Sequence, residues 1–257
     1  MEIDFGKTAQ DYGRYRAGFP PALFDRLAAF DVGLAGQRVL DLGTGTGALG
    51  RGFALRGCRV TGLDPSTALT GEAQRLDREA GVAIQYVTAT AEQTGLPDAS
   101  FEGVSAGQCW HWFDRRHAAQ EVRRLLVPRG WLLIAHFDWL PLPDNVVEVT
   151  EQLIERHNPA WTFGGGPGIY PPWFRDVSMA GFEDLESFTF DVSVPYTHEA
   201  WRGRIRASAG VAASLPPDAV ARFDADLQRV LTERFPDDPL AVPHRVFALV
   251  ARKPAVG

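Results

Sequence analysis

From Gln37 onward, short apolar runs alternate with stretches whose apolar residues recur at helical spacing, and that alternation predicts a parallel sheet with helices on both faces. RVLDL at 38–42 is the first apolar run; glycines follow it, then a helical stretch ending near Gly57. A second strand is expected over 58–64, with Pro65 and Ser66 opening a helix that Gly81 can cap. Strands at 82–87 and 101–107 come next. Asp114 can cap a helix running to about Val127, because Val122, Leu125 and Leu126 share one face and Pro128 with Gly130 punctuates the end. The run WLLIAHF predicts a fifth strand at 131–137.

Beyond Trp139 the pattern loosens into helices near 145–156 and 173–180, separated by the loop NPAWTFGGGPGIYPP. Two last strands, 185–194 and 244–251, are divided by helices near 198–207 and 217–235. No repeat, low-complexity tract or linker interrupts this order. One domain over 1–257 is therefore expected: an N-terminal helical extension (1–35), a ligand-binding core (36–137), a lid-like insertion (138–182) and the final strands and helices (183–257).

Composition narrows the function classes. With 257 residues, 45% of them hydrophobic, and a formal charge of −6, the chain has the composition of a globular protein with a sizeable core. No apolar stretch approaches the roughly 18 residues of a membrane span, and the opening MEIDFGKTAQ lacks a signal-peptide layout, so a cytoplasmic protein with no membrane partner is expected. The two cysteines, Cys58 and Cys109, stand far apart without CxxC spacing, and no two histidines fall at HxH or HxxxH spacing. Neither a disulfide framework nor a metal site is implied. Basic residues are scattered among acids, which argues against a nucleic-acid partner.

The strongest local signal is VLDLGTGTG at a strand-to-helix turn. Gly43, Gly45 and Gly47 let backbone approach a ligand, and the helix behind them offers its positive N-terminus. Two registers of this segment satisfy the dinucleotide fingerprint, with Asp64 about 20 residues on, so a nicotinamide-dependent oxidoreductase stays open on pattern alone. Asp41 weighs against a dinucleotide. An acid about 4 Å from a pyrophosphate charge repels it by on the order of 4 kcal/mol at an effective dielectric of 20. S-adenosylmethionine has the required mixture: an ammonium, a sulfonium, a carboxylate, a ribose diol and no phosphate.

The run from Asp41 to Gly47, with Asp64 at the end of the second strand, resembles motif I and the ribose acid of class I S-adenosylmethionine-dependent methyltransferases. Residues 91–114 are similar to small-molecule members related to the ubiquinone and menaquinone enzymes, and residues 5–20 resemble the trans-aconitate methyltransferase-like branch. The resemblance implies a Rossmann-like α/β fold, with a seven-stranded, mostly parallel sheet, helices on both faces and an antiparallel last strand. It also implies a small-molecule methyl acceptor. By the same resemblance Asp41 attracts the ammonium, Asp64 binds the ribose, and Thr90 and Ala91 meet the adenine, although an Asp is common where Thr90 stands. Gln108 meets the methionine moiety, Trp110 shapes the transfer site, and Tyr12, Tyr15 and Arg16 close over the cofactor.

His111, between Trp110 and Trp112, has the ordinary pKa of a general base and is the catalytic candidate; the alternative is a structural histidine. Trp110, Trp112, Trp139, Trp161, Phe163, Tyr170 and Trp173 suggest an apolar acceptor pocket, and GGGPG at 164–168 reads as a lid hinge. A noncatalytic sensor or scaffold that keeps the cofactor pocket is the alternative from another class.

Overall fold

The computed structural model describes residues 17–162 and 164–255. Helix α1 (Pro21–Ala28) starts on a proline, whose fixed φ suits a first helical position, and buries Leu23, Phe24 and Leu27. Strand β1 (Arg38–Leu42) then leads through the glycine turn into α2 (Ala48–Ala54). Next come β2 (Arg59–Leu63) and α3 (Thr67–Ala80), which Ser66 caps at one end and Gly81, in the left-handed region, at the other.

Strand β3 (Gln85–Val87) has half the expected length. It lies at the sheet edge and pairs with Thr61–Leu63 of β2. Strand β4 (Phe101–Gly107) runs into a single 3-10 turn, Trp110–Trp112, and then α4 (Arg115–Leu125) under an Asp114 cap. The sequence pattern carries α4 to about Val127, but Leu126 is already extended. Val127 precedes a proline, and that position is biased away from helix. Strand β5 (Leu126–Trp139) follows directly.

Helix α5 (Val146–His157) begins at an Asn145 cap, α6 (Pro171–Met179) on two prolines, and α7 (His198–Arg206) at a Thr197 cap. Helix α8 (Pro217–Arg234) is the longest of the described helices. Strands β6 (Glu183–Tyr196) and β7 (Leu240–Arg252) exceed their apolar centres at both ends.

The seven strands form one sheet in the order β3-β2-β1-β4-β5-β7-β6. Six are parallel and the last in sequence, β7, is antiparallel. This is the Rossmann-like arrangement expected above. The order reverses at β1, between β2 and β4, so the carboxyl ends of β1 and β4 flank the topological switch point where open α/β sheets take ligands.

By compactness the chain groups into two units. One comprises Gly18–Phe137, Tyr170–Phe190 and the chain from Val246; its core gathers Leu40, Leu42, Val104, Trp110, Leu132, Ile134, Trp173 and Phe247. The other takes Asp138–Ile169 and Asp191–Arg245, with Val147, Ile154, Trp201, Ile205, Phe223 and Leu227 in its core. The segment expected to be a lid is thus shared: α5 and the glycine-rich loop pack with α7 and α8, whereas α6 joins the core around β4 and β5.

Candidate functional site

At the carboxyl end of β1 the three loop glycines all take left-handed φ, between 55° and 79°, where a side chain is strained. Their surroundings differ. A Cβ on Gly43 would stand 3.0 Å from both Cβ and Sγ of Cys109, and one on Gly47 would stand 2.9 Å from the Tyr86 hydroxyl. A Cβ on Gly45 would meet nothing within 4 Å. Gly43 and Gly47 therefore serve close packing, and Gly45 opens on space into which a ligand can fit.

Asp41 lies under this loop, 1% exposed. Its Oδ2 accepts from the Thr44 hydroxyl at 2.7 Å and from the Gly50 N–H at 3.1 Å, and its Oδ1 accepts from Ser105 at 2.7 Å. Ser105 is its neighbour in register on β4. Burial pushes the Asp41 pKa up to about 6 against these three hydrogen bonds. The carboxylate expected to meet an ammonium thus organises the loop from beneath.

Asp64, just past β2, accepts from Gly45 N–H at 2.9 Å on one oxygen and from Ser66 N–H at 2.9 Å on the other. Burial raises its pKa as well. An ionised carboxylate has about four acceptor sites, so lone pairs remain for a vicinal diol. Behind the loop, Arg51 donates to Asp77 at 2.8 Å and to the Thr46 carbonyl at 2.8 Å, while Tyr86 donates to Asp77 at 2.7 Å. Burial, and then the bond to Asp77, push the tyrosine pKa up, so it remains a donor.

The end of β4 redistributes the other expected residues. Gln108 sits at φ 63°; its backbone N–H donates to Ala135 O at 2.9 Å and its side-chain amide donates to Phe137 O, tying the ends of β4 and β5. Cys109 donates its thiol to Leu42 O at 3.1 Å, beneath Gly43. Trp110 does not line an open face. It is wholly buried in the core, with its indole N–H 3.4 Å from Asp176.

His111 is exposed, and its ring centroid stands 5.4 Å from that of His136. His136 packs in turn on Tyr170 and Trp173, at 4.6 and 4.7 Å, and those two rings stack at 3.8 Å. Thr90 is exposed and Ala91 buried in the turn after β3. Tyr12, Tyr15, Arg16 and Phe163 lie outside the described residues. Among the described residues no cluster of three metal-ligating side chains occurs.

A methyltransferase-domain family model matches residues 40–134, the span that holds this loop and both acids. A ubiquinone biosynthesis O-methyltransferase from Pseudomonas savastanoi pv. phaseolicola is 49% identical over 166 residues, covering 62% of this chain and 71% of that protein. The chain belongs to the class I S-adenosylmethionine-dependent methyltransferases.

An uncharacterized methyltransferase of Mycobacterium tuberculosis is 37% identical over 134 residues, 51% of each protein, so the chain spans about half the length of that relative. A solved structure from Anaeromyxobacter dehalogenans, provisionally assigned as a type II methyltransferase, superposes with a TM-score of 0.67 at 26% identity, over 93% of this chain and 99% of its own. Membership in this methyltransferase family sets aside the dinucleotide reading of the glycine pattern.

Sequence reasoning missed Ser105, Thr44 and His136. Ser105 carried a signal, a lone hydroxyl inside the apolar strand FEGVSAG, but its meaning depends on register with Asp41. His136 ends an apolar run and gave no sign of its aromatic neighbours. In the glycine-rich loop, Gly165 N–H donates to Glu151 at 2.8 Å.

Proposed function

We propose that this chain transfers the methyl group of S-adenosylmethionine to a small organic acceptor by in-line displacement, acting as one methyltransferase domain. The observation that carries the reading is the pair of buried acids, Asp41 and Asp64, flanking a glycine loop that is open at Gly45. That cradle favours a cationic nucleoside over a diphosphate. When bound, the cofactor supplies a methyl group already activated by positive sulfur, so the protein's task is alignment and exclusion of water.

Asp64 holds the ribose hydroxyls while fixing the Gly45 N–H. Asp41 provides negative potential beneath the amino-acid end and keeps the loop in shape. Gln108 holds the ends of β4 and β5 together, and Thr90 and Ala91 border the base. The Pseudomonas relative is named for oxygen methylation, and a hydroxyl acceptor needs its proton taken; on this reading His111, in the turn after β4, takes it. An acceptor carboxylate needs no base.

A cytoplasmic setting and the absence of a nucleic-acid partner belong to the same proposal. They are supported by two buried cysteines that form no disulfide and by a net charge of −6. No helix among the described residues is long and apolar enough to cross a membrane. The test is label transfer from methyl-labelled S-adenosylmethionine to panels of phenols, amines and carboxylic acids. Transfer to one class that is lost in Asp64→Ala supports the proposal; cofactor binding with no transfer to any class favours a sensor.

A further inference from the structure

Strand register lines up one residue from each of four strands in a single row at the glycine loop: Tyr86 on β3, Gly62 on β2, Asp41 on β1 and Ser105 on β4. Gly62 leaves the space that the tyrosine ring fills, since a Cβ there would stand 2.7 Å from Tyr86 Cε1. The Tyr86 hydroxyl then donates to Asp77 Oδ2, on α3, at 2.7 Å. The other oxygen of Asp77 accepts from Arg51 Nε at 2.8 Å, so the carboxylate is held from two sides and holds the guanidinium in turn. Both charged side chains are largely buried, which shields their ion pair from solvent.

Arg51 lies in α2, one turn beyond the loop, and its Nη2 donates to the Thr46 carbonyl at 2.8 Å and to the Ala73 carbonyl at 3.2 Å. Ala73 and Asp77 are one turn apart on α3, so a single planar group ties the loop to that helix. The fit is close. A Cβ on Gly47 would stand 3.0 Å from Arg51 Nη2 and 2.9 Å from the Tyr86 hydroxyl. Three charged side chains thereby hold three consecutive residues: Asp41 the Thr44 hydroxyl, Asp64 the Gly45 N–H and Arg51 the Thr46 carbonyl. Glycines on both sides of Thr46 leave its peptides free to turn unless something grips them, and the guanidinium supplies that grip. A loop fixed before its ligand arrives spares the ordering cost at the moment of binding.

We infer that Arg51, held by Asp77 and Tyr86, is a positioning residue for the cofactor: it keeps the turn from Thr44 to Gly47 in its binding shape by gripping the backbone. The inference rests on the methyl-transfer reading above and adds to it a residue that acts through the loop. Calorimetric titration with S-adenosylhomocysteine, together with amide hydrogen exchange of the ligand-free protein, tests it in wild type, Arg51→Met, Arg51→Lys and Tyr86→Phe. Arg51→Met should bind tenfold or more weakly. Arg51→Lys should recover part of that loss, because an ammonium keeps the charge but lacks the fork, and Tyr86→Phe should lose two- to fivefold.

In wild type the Gly45 and Gly47 amides donate to Asp64 and to the Thr44 carbonyl, at 2.9 and 2.8 Å. In Arg51→Met these two amides should exchange at least tenfold faster while the amides of β4 and β5 stay within twofold, a contrast that general loosening of the fold does not produce. Should Arg51→Met not fold, Arg51→Met combined with Asp77→Asn serves in its place, since it leaves no buried charge unpaired. Affinities within twofold of wild type in every variant, or a lysine variant no better than the methionine one, would overturn the inference. So would a loss of affinity with the Gly45 and Gly47 amides unchanged, or with exchange rising equally throughout β4 and β5. Failure of wild type to bind S-adenosylhomocysteine at all would instead overturn the methyl-transfer reading.

Discussion

Asp41→Asn removes a charge from beneath the glycine loop while keeping its shape. With the amide oxygen toward Thr44 and Gly50 and the NH2 toward Ser105, all three hydrogen bonds survive, because the serine hydroxyl can turn to accept. Burial moves the wild-type carboxyl from 3.8 to about 6, which disfavours its ionised form by about 3 kcal/mol. The folded pKa lies above the unfolded one, so this group's contribution to stability is greatest below about pH 4 and is lost as pH rises through about 6. At pH 7 the ligand-free variant is therefore at least as stable as wild type.

Binding shows the opposite preference. The ammonium of the ligand's amino-acid end favours the ionised carboxylate, which is about a tenth populated at pH 5 and about nine tenths at pH 7. With a neutral side chain binding about tenfold more weakly, S-adenosylhomocysteine affinity in wild type should rise about fivefold across that window, and the variant should lack this component and bind about tenfold more weakly at pH 7. Asp64 titrates in the same direction, so the difference between the two calorimetric profiles isolates Asp41. Equal affinities and parallel profiles would show that the charge under the loop does not act on the ligand.

Gly45→Ala should fold with a loss of about 1–2 kcal/mol from its left-handed φ, yet lose cofactor affinity, because its methyl enters open space at the loop. Gly43→Ala should show the larger drop in melting temperature, since its Cβ would press on Cys109 at 3.0 Å. Trp110→Ala should cost about 3–5 kcal/mol in denaturant unfolding while the folded fraction keeps its S-adenosylhomocysteine affinity, as expected of a core residue. His111→Ala should keep turnover within a few-fold on a carboxylate acceptor and lose about 10² to 10⁴ on a hydroxyl acceptor, measured as initial rates.

The glycine turn was legible in the sequence because its chemistry is local: positive φ, close approach and a helix N-terminus all follow from residues 41–50. The work of Asp41 was not, because two of its three partners depend on packing: Ser105 arrives through strand register and Gly50 through the first turn of α2. Trp110 and Trp139 both sit in aromatic-rich segments, yet one fills the core and the other carries the Arg204 guanidinium. The pattern of residue types cannot separate them, since burial is decided by which elements pack over each ring. Boundaries slipped where context overrode periodicity, at the edge strand β3 and at the Leu126–Pro128 step that ends α4. The five β-α units and the two closing strands were readable because each carries its own cap or turn.

We propose that the tip of β1 holds an adenosyl amino acid, with Asp64 on its ribose. Calorimetry of wild type and Asp64→Asn against S-adenosylhomocysteine and NAD tests it most directly. S-adenosylhomocysteine should bind wild type saturably and the variant at least tenfold more weakly, and NAD should bind neither. NAD binding in preference to S-adenosylhomocysteine, or an Asp64→Asn protein with undiminished affinity, would contradict it.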